Sequence, residues 1–181
     1  NIGVYPYVEV QIEVLPREAQ EDRIVLYAEN YGERFVVHPE RPGYDRHPLL
    51  EAAFDYMDLP EDVALQVSIY SEAPAGCSTG TSAAVSVALL GALDCLTPGR
   101  LTPHEVARAA HVVETDLLGQ QSGIQDQLCS AYGGVNLIDM YAYPHASVSQ
   151  IYVSNATWWE TTMTALPEGY RGVAPDQRGY G

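Results

Sequence analysis

Residues 83–96 form a run of small and apolar side chains without a polar face, and a loop rich in glycine and hydroxyl groups precedes it. The run predicts a helix that is buried on nearly every side, because a surface helix carries a polar stripe. The rest of the chain must then supply apolar faces to surround this helix. The longest apolar and small part, Ala83 to Leu93, is interrupted by Ser86 and is too short to span a bilayer, so we expect no membrane-crossing segment.

The segment before this loop has the pattern of β-strands. Val8, Val10, Ile12 and Val14 alternate with polar residues, which predicts a half-buried antiparallel strand within Val4 to Val14. Further strands are predicted over residues 23–28, 33–38 and 63–69, and a helix over residues 48–57. We therefore expect the first seventy residues to form a β-rich meander with one helix.

The segment after the apolar run is mainly helical. Thr102, Pro103 and Glu105 have the pattern of a capping box, which begins a helix that we expect to end near Gly119. A short helix is predicted over residues 125–132, followed by strands over 135–141 and 147–153. Residues 155–181 have no periodicity, and we expect an irregular tail there.

The charge of the chain limits its partners. The sequence has 24 acidic and 9 basic residues, a formal net charge of −15, and every basic residue is an arginine. Such a composition argues against binding to nucleic acid, and the absence of lysine excludes a Walker A loop. A phosphate ligand would therefore have to be bound by backbone N–H groups, hydroxyl groups, a helix dipole or a metal ion.

The loop from Pro74 to Ser82 is a candidate for such an anion site. A strand leads into it and a helix leaves it, so the unpaired N–H groups of the first helical turn face a ligand there. Gly76 and Gly80 allow a close backbone approach, and four hydroxyl groups could contact phosphate oxygens or Mg²⁺: Ser78, Thr79, Thr81 and Ser82. An ordinary capped helix start uses the same residue types, so both interpretations stay open.

The same loop also permits a serine hydrolase. Gly76, Ser78 and Gly80 fit the pattern G-x-S-x-G, and an aspartate (Asp126 or Asp139) and His145 follow in the expected order. Two observations count against this alternative. Residues 72–75 separate the predicted strand from the turn, and the preceding strands alternate in polarity, unlike buried parallel strands.

Two carboxylates bracket a second glycine-containing loop. Glu114 lies near the end of one predicted helix and Asp126 at the start of the next. Phosphoryl transfer uses one carboxylate to hold Mg²⁺ and another to orient or deprotonate the attacking hydroxyl. The alternatives are a solvated helix face for Glu114 and a helix N-cap for Asp126. His104 and His111 lie on the same helix as Glu114, but we expect surface roles for them rather than metal binding.

Two segments together resemble the GHMP kinases. Residues 71–93 resemble the second motif of that family, a phosphate loop that opens a long helix. Residues 123–136, GIQDQLCSAYGGVN, resemble the segment that carries the family's catalytic aspartate. The residues of these two segments are most similar to the sugar-kinase branch of the family, in particular the heptose-phosphate kinases. The resemblance covers roughly residues 1–153.

The resemblance implies a fold and a set of roles. The fold would be an α+β GHMP-kinase N-terminal domain, with a ribosomal-protein-like left-handed βαβ unit and antiparallel strands. The loop would surround the phosphates of ATP, Ser82 and Glu114 would hold Mg²⁺, and Asp126 would be the catalytic residue. The implied ATP-contacting residues are Pro74, Gly76, Cys77, Ser78, Thr79, Gly80, Thr81 and Ser82. The sequence departs from the motif at Ser78, where the family usually has glycine, and at Thr79, where it usually has leucine.

The resemblance also implies a domain organisation. Residues 1–154 would be the N-terminal ATP-binding domain, and residues 155–181 an irregular tail or a fragment of a C-terminal domain. The family's first and third motifs have no counterpart here, so we expect an incomplete kinase. The expected function is ATP-dependent phosphorylation of a hydroxyl on a sugar or sugar phosphate. A serine hydrolase and a non-catalytic nucleotide- or sugar-binding domain are the alternatives.

The cysteines indicate the compartment. Cys77, Cys95 and Cys129 are odd in number and contain no C-x-x-C pair, which favours a reducing, cytoplasmic environment. The expected partner is a small-molecule substrate, with neither nucleic acid nor membrane, and formation of a homodimer stays open.

Overall fold

A four-stranded mixed sheet forms one layer of the protein. The computed structural model describes residues 2–3, 7–39, 41, 43–73 and 80–151. The strands are β1 (Val8–Pro16), β2 (Ile24–Ala28), β3 (Glu33–Val37) and β4 (Val63–Ser71), in the order β1-β4-β2-β3. β4 is antiparallel to β1 and parallel to β2, while β2 and β3 form an antiparallel pair.

The strand order corrects one prediction. The four strands do not form a meander, because β4 inserts between β1 and β2. The strand positions were predicted within a few residues, but periodicity reports only which face of a strand is buried and not which strand lies beside it. The alternation of β1 also fails at Val14, which is 46% exposed, whereas Leu15 is half-buried.

Four helices and a hairpin complete the described chain. They are α1 (Pro48–Tyr56), α2 (Thr81–Asp94), α3 (Pro103–Val112), α4 (Gln125–Tyr132), β5 (Asn136–Ala142) and β6 (His145–Gln150). α3 continues directly into a turn of π-helix, Val113–Leu117, so helical structure ends close to the predicted position. β5 and β6 form a separate two-stranded sheet.

α2 is the central helix that the apolar run predicted. Half of its fourteen residues are buried and, of the others, only Ser82 is exposed. It packs against α1, α3, α4 and β1, so its apolar side chains join the core between the sheet and the helices. Ser86 is buried within it, and its hydroxyl donates to the carbonyl of Ser82 at 3.0 Å, which satisfies the one polar side chain in the middle of the helix.

The predicted capping box begins α3. The Thr102 hydroxyl accepts the N–H of Glu105, and the Glu105 carboxylate accepts the N–H of Thr102. These bonds hold the pKa of the Glu105 carboxyl below its ordinary value, the bond from the Thr102 backbone being the largest cause. The cap fixes where α3 starts, and therefore which of its residues face α2 and α4.

Several predictions fall on residues that the structure does not describe. Residues 74–79 contain most of the predicted phosphate loop, and residues 152–181 contain the predicted domain boundary at 154 and the irregular tail. These predictions therefore stay predictions. Within the described ranges, no helix has both the length and the apolar character needed to span a bilayer.

Candidate active site

The N-terminus of α2 and the start of α4 lie against each other. Gly80, the N-cap of α2, has a left-handed backbone conformation with φ of 74°. A Cβ atom placed on Gly80 would lie 3.4 Å from both Cγ and Oδ2 of Asp126. The carboxylate of Asp126 therefore lies beside Gly80, which belongs to the predicted phosphate loop.

The first turn of α2 has the form expected of an anion site. The N–H of Ala84 makes the first bond of the helix, to the carbonyl of Gly80 at 3.0 Å. In general, the N–H groups of a first helical turn have no acceptor within their own helix, and the positive end of the helix dipole lies with them. Ser82 presents its side chain to solvent at this end of the helix.

Asp126 is not a helix cap. It is the second residue of α4, whose N-cap is Ile124, and no side chain caps that helix. The Asp126 side chain is exposed, and within the described ranges no hydrogen bond reaches its carboxylate. The N-cap alternative for this residue is therefore wrong, and the carboxylate is available to a ligand.

Glu114 lies on the π-helical turn and is only 5% exposed, so the solvated-face alternative is also wrong. Its Oε2 atom accepts hydrogen bonds from the Ser122 hydroxyl at 2.6 Å and from Nε2 of Gln127 at 2.9 Å. Its Oε1 atom is buried and has no hydrogen-bond partner among the described residues. A buried carboxylate oxygen without a donor is costly unless a cation or another ligand group compensates it.

The π-helical turn explains how a buried acidic side chain fits at the end of α3. The N–H of Leu118 bonds to the carbonyl of Val113, and the N–H of Gln120 bonds to the carbonyl of Glu114, so the backbone is wider than in an α-helix. Such turns occur frequently at functional sites. The sequence predicted only an ordinary helix here.

His111 supports the loop that carries Ser122. It is 4% exposed, which corrects the expected surface role. Its Nε2 atom lies 3.0 Å from the Tyr143 hydroxyl and 3.2 Å from the carbonyl of Ser122, and the same tyrosine donates to that carbonyl at 2.9 Å. His104 instead contacts Tyr132. Among the described residues, no group of three or more His, Cys, Asp or Glu side chains is arranged to hold a metal ion.

Gln127 and Ser122 are site residues that the sequence interpretation missed. Gln127 lies on the apolar stripe of α4, between Ile124 and Ala131 in helical spacing. A polar residue at such a position must find a buried partner, and this signal could have indicated an interaction with another buried polar group.

The hydrolase alternative receives no support from the geometry. β4 ends at Ser71 and α2 begins at Thr81, so the strand does not run directly into a nucleophile turn. His145 lies 3.2 Å from Arg108 through Nδ1, so this ring nitrogen contacts a cation instead of the carboxylate that a catalytic triad requires. Ser78 itself lies outside the described residues.

Cys129 is close to the candidate site but is not suited to be a nucleophile. It lies one helical turn after Asp126 on α4 and is half-buried. Burial raises the pKa of its thiol, and the nearby Asp126 carboxylate raises it further. The thiol is therefore protonated near neutral pH, and the protonated form reacts slowly.

The candidate site combines the N-terminus of the central helix α2 with two carboxylates on the next helical segments. Residues 48–134 match the family described as GHMP kinases N terminal domain. This part of the chain is therefore similar to a GHMP-kinase N-terminal domain, as the two sequence motifs predicted.

Several mevalonate kinases resemble the chain in sequence. It is 50% identical to the mevalonate kinase of Thermococcus sibiricus over 68 residues. The matched segment covers 38% of this chain and 20% of that protein. It is 37% identical to the mevalonate kinase of Pyrococcus abyssi over 114 residues, and this matched segment covers 63% of this chain and 31% of that protein. The chain thus matches less than a third of the length of these relatives.

Solved structures support the fold. A D-glycero-D-manno-heptose 1-phosphate kinase from Bacteriodes thetaiotaomicron superposes with a TM-score of 0.66 at 23% identity, over 85% of this chain and 50% of that one. A structure described as a putative sugar kinase from Campylobacter jejuni superposes with a TM-score of 0.68 at 18% identity, over 86% of this chain and 48% of that one. The chain therefore has the GHMP-kinase N-terminal α+β fold and spans about half of these structures.

Proposed function

We propose that this chain is the ATP-binding part of a kinase that transfers a phosphoryl group to a hydroxyl of a sugar or sugar phosphate. The observation that carries the proposal is the contact between two segments: the Asp126 carboxylate lies beside Gly80 at the N-terminus of α2. A phosphate bound at that terminus would have the carboxylate of Asp126 next to it, which is the pairing that phosphoryl transfer needs.

The role proposed for residues 74–82 is to bind the phosphates of ATP. The N–H groups at the start of α2 and the hydroxyls of Thr81 and Ser82 are donors suited to phosphate oxygens. Gly80 brings the backbone into its left-handed conformation without the steric cost that a side chain would add. The absence of lysine gives these neutral donors, together with arginine, a larger part in neutralising the phosphates.

Ser82 and Glu114 are the residues proposed to hold Mg²⁺. The buried Oε1 atom of Glu114, which has no partner, fits a metal ligand because a hard cation prefers carboxylate oxygen. Ser82 adds a hydroxyl at the exposed start of α2. Bound Mg²⁺ would supply neutralisation of the charge on the phosphates. Oε2 stays bonded to Ser122 and Gln127, so the carboxylate keeps its orientation.

Asp126 is proposed to receive or orient the proton of the acceptor hydroxyl. Its carboxylate has no competing hydrogen bond among the described residues and is exposed at the mouth of the site. A general base must lie within hydrogen-bond reach of the proton that it accepts, and a carboxylate without a structural bond can turn toward that proton.

The identity of the acceptor is the finer part of the proposal. The heptose-phosphate kinase similarity lies in the motif around Asp126 and in the fold, whereas the curated relatives carry the name mevalonate kinase. Both groups phosphorylate a hydroxyl, so the proposed roles of Glu114 and Asp126 are the same for either acceptor. We retain the sugar or sugar phosphate as the proposed substrate and include mevalonate in the test.

Asp126→Asn tests the proposal. The complete protein is incubated with Mg²⁺, γ-labelled ATP and each of five acceptors: heptose 1-phosphate, heptose 7-phosphate, galactose, fucose and mevalonate. Removing a general base costs about 10²–10⁴-fold in turnover, so labelled product should fall by that factor while ATP binding by calorimetry changes little. Asp58→Asn, an exposed aspartate in the loop after α1, is the matched control and should retain full activity.

The outcomes separate the alternatives. Labelled product from a sugar at the highest kcat/KM supports the proposal, and preference for mevalonate corrects the acceptor. ATP binding without transfer to any acceptor favours the non-catalytic binding domain. Full activity of Asp126→Asn removes this residue from the mechanism, and loss of ester hydrolysis in Ser78→Ala would favour the hydrolase.

The proposed location is the cytoplasm. Cys95 and Cys129 are free thiols in the structure, and a reducing compartment keeps such thiols unpaired.

A further inference from the structure

Gln127 joins the helical segments that carry the two carboxylates. It lies in the first turn of α4 and is 1% exposed. Its Nε2 atom donates to Oε2 of Glu114 at 2.9 Å and lies 3.3 Å from the Ser122 hydroxyl. The side chain therefore crosses from α4 to the π-helical turn that carries Glu114.

The two donors around Glu114 both select the same oxygen. Ser122 and Gln127 bond to Oε2, and Oε1 has no partner although it is buried. The two oxygens of a carboxylate are equivalent, so these bonds fix the orientation of the group rather than the identity of an oxygen. The network thus determines the position in which the second oxygen is left for a ligand.

The position of Gln127 in the chain adds a second constraint. Gln127 follows Asp126 directly, and consecutive residues of an α-helix point about 100° apart. One side chain is consequently exposed at the mouth of the site while the next is buried against Glu114. The bond from Gln127 to Glu114 therefore fixes the position of the Asp126 backbone relative to Glu114.

A structural role alone does not explain this amide well. The Oε1 atom of Gln127 is buried and has no hydrogen-bond partner, so half of the amide is unsatisfied. An unsatisfied buried oxygen lowers the stability of the folded state. An apolar side chain of the same length would avoid this cost, but it would leave Oε2 of Glu114 with one donor fewer.

We propose that Gln127 is a positioning residue for the metal carboxylate: it holds Oε2 of Glu114 so that Oε1 is presented to a divalent cation. It acts through Glu114 and does not contact the reacting groups itself. This inference rests on the proposed function of Glu114. Groups that orient a metal ligand typically change metal affinity by about 10–100-fold when they are removed.

Gln127→Met tests the inference, because methionine has a similar length and no donor. The dissociation constant of Mn²⁺ is measured by electron paramagnetic resonance on the complete protein, together with the thermal midpoint and the KM for Mg·ATP. We expect Mn²⁺ binding to weaken by about 10-fold or more and KM for Mg·ATP to rise more than kcat falls. The thermal midpoint reports the separate cost of removing a donor from the buried carboxylate of Glu114.

Asn136→Leu is the matched control. Asn136 is also a buried amide, 3% exposed, but its Nδ2 atom donates to the carbonyl of Gly133 and not to Glu114. The Asn136→Leu variant should lower the thermal midpoint without changing the dissociation constant of Mn²⁺. Ser122→Ala removes the other donor to Oε2 of Glu114 and should also weaken Mn²⁺ binding. This variant replaces Gln127→Met in the test if Gln127→Met does not fold.

Two results would overturn the inference, and they differ from each other. If the unaltered protein binds Mn²⁺ and the Gln127→Met and Ser122→Ala variants bind it equally well, Gln127 is only structural and the proposed function stands. If the unaltered protein neither binds Mn²⁺ nor transfers phosphate, the proposed role of Glu114 fails and the inference fails with it.

Discussion

Two buried carboxylates in this protein have opposite surroundings. Asp94 ends α2 and is 6% exposed, and Glu114 follows α3 and is 5% exposed. Oδ2 of Asp94 accepts the N–H of Leu101 at 2.9 Å, and Oδ1 lies 3.4 Å from the Thr97 hydroxyl. Glu114 has two donors on Oε2 and none on Oε1.

The difference separates a structural carboxylate from one that is suited to a ligand. Both oxygens of Asp94 have contacts in the turn between α2 and α3, so the side chain is fully used in holding that turn. Glu114 has equal burial but keeps one oxygen unpaired. Burial alone therefore does not distinguish the two, and the count of satisfied oxygens does.

The largest expected effect is that of Glu114→Gln. The amide removes the negative charge that would face the cation, so we expect phosphoryl transfer to fall by roughly 10²-fold or more. The same change relieves an uncompensated buried charge, so the thermal midpoint should stay the same or rise. Steady-state kinetics and calorimetric unfolding measure the two effects. A fall in stability with full activity would show that Glu114 resembles Asp94.

Asp94→Ala should give the reverse pattern. Loss of two bonds to a buried carboxylate, one of them to the backbone N–H of Leu101, should cost about 2 kcal/mol of unfolding free energy. For a chain of this size that is a decrease in the thermal midpoint of roughly 4–8 °C. The KM for Mg·ATP and the turnover at 25 °C should not change, and a selective change in either would contradict the distinction.

The smallest effect concerns the helix that connects the two carboxylates. Thr102→Ala removes the cap of α3 and should cost about 1 kcal/mol in denaturant unfolding, with unaltered Mn²⁺ binding. Because the pKa of Glu105 is lowered in the folded protein, its contribution is present above the ordinary carboxyl pKa and is lost as the pH falls through the lowered value. The difference between Thr102→Ala and the unaltered protein should therefore shrink in acid. A constant difference from pH 7 to pH 3 would show that the Glu105 carboxylate adds nothing to the cap.

The local elements were predictable from the sequence because each has a local cause. The capping box at Thr102 and Glu105 and the apolar run of α2 are fixed by neighbouring residues, and both were predicted correctly. The similarity to the GHMP-kinase N-terminal domain was also predictable, because the segments around Gly80 and Asp126 carry the two motifs that led to it. The roles of the individual site residues stay predictions.

The parts that were not predicted depend on contacts between distant segments. The insertion of β4 between β1 and β2 depends on pairing between segments that are distant in the chain, which alternation within one strand does not report. The burial of His111 and Glu114 depends on Tyr143, Ser122 and Gln127, which belong to other elements. A polar residue on a helix has the same local pattern whether it meets water or a buried partner.

The sequence by itself determined that any phosphate must be bound without lysine, that α2 is central, and that Glu114 and Asp126 are the carboxylates to consider. Only the tertiary structure decided how these two differ. The π-helical turn buries Glu114 beneath Gln127, and α4 carries Asp126 to the N-terminus of α2. The reason is physical: composition and spacing fix which groups are present, whereas packing determines which of their atoms have partners.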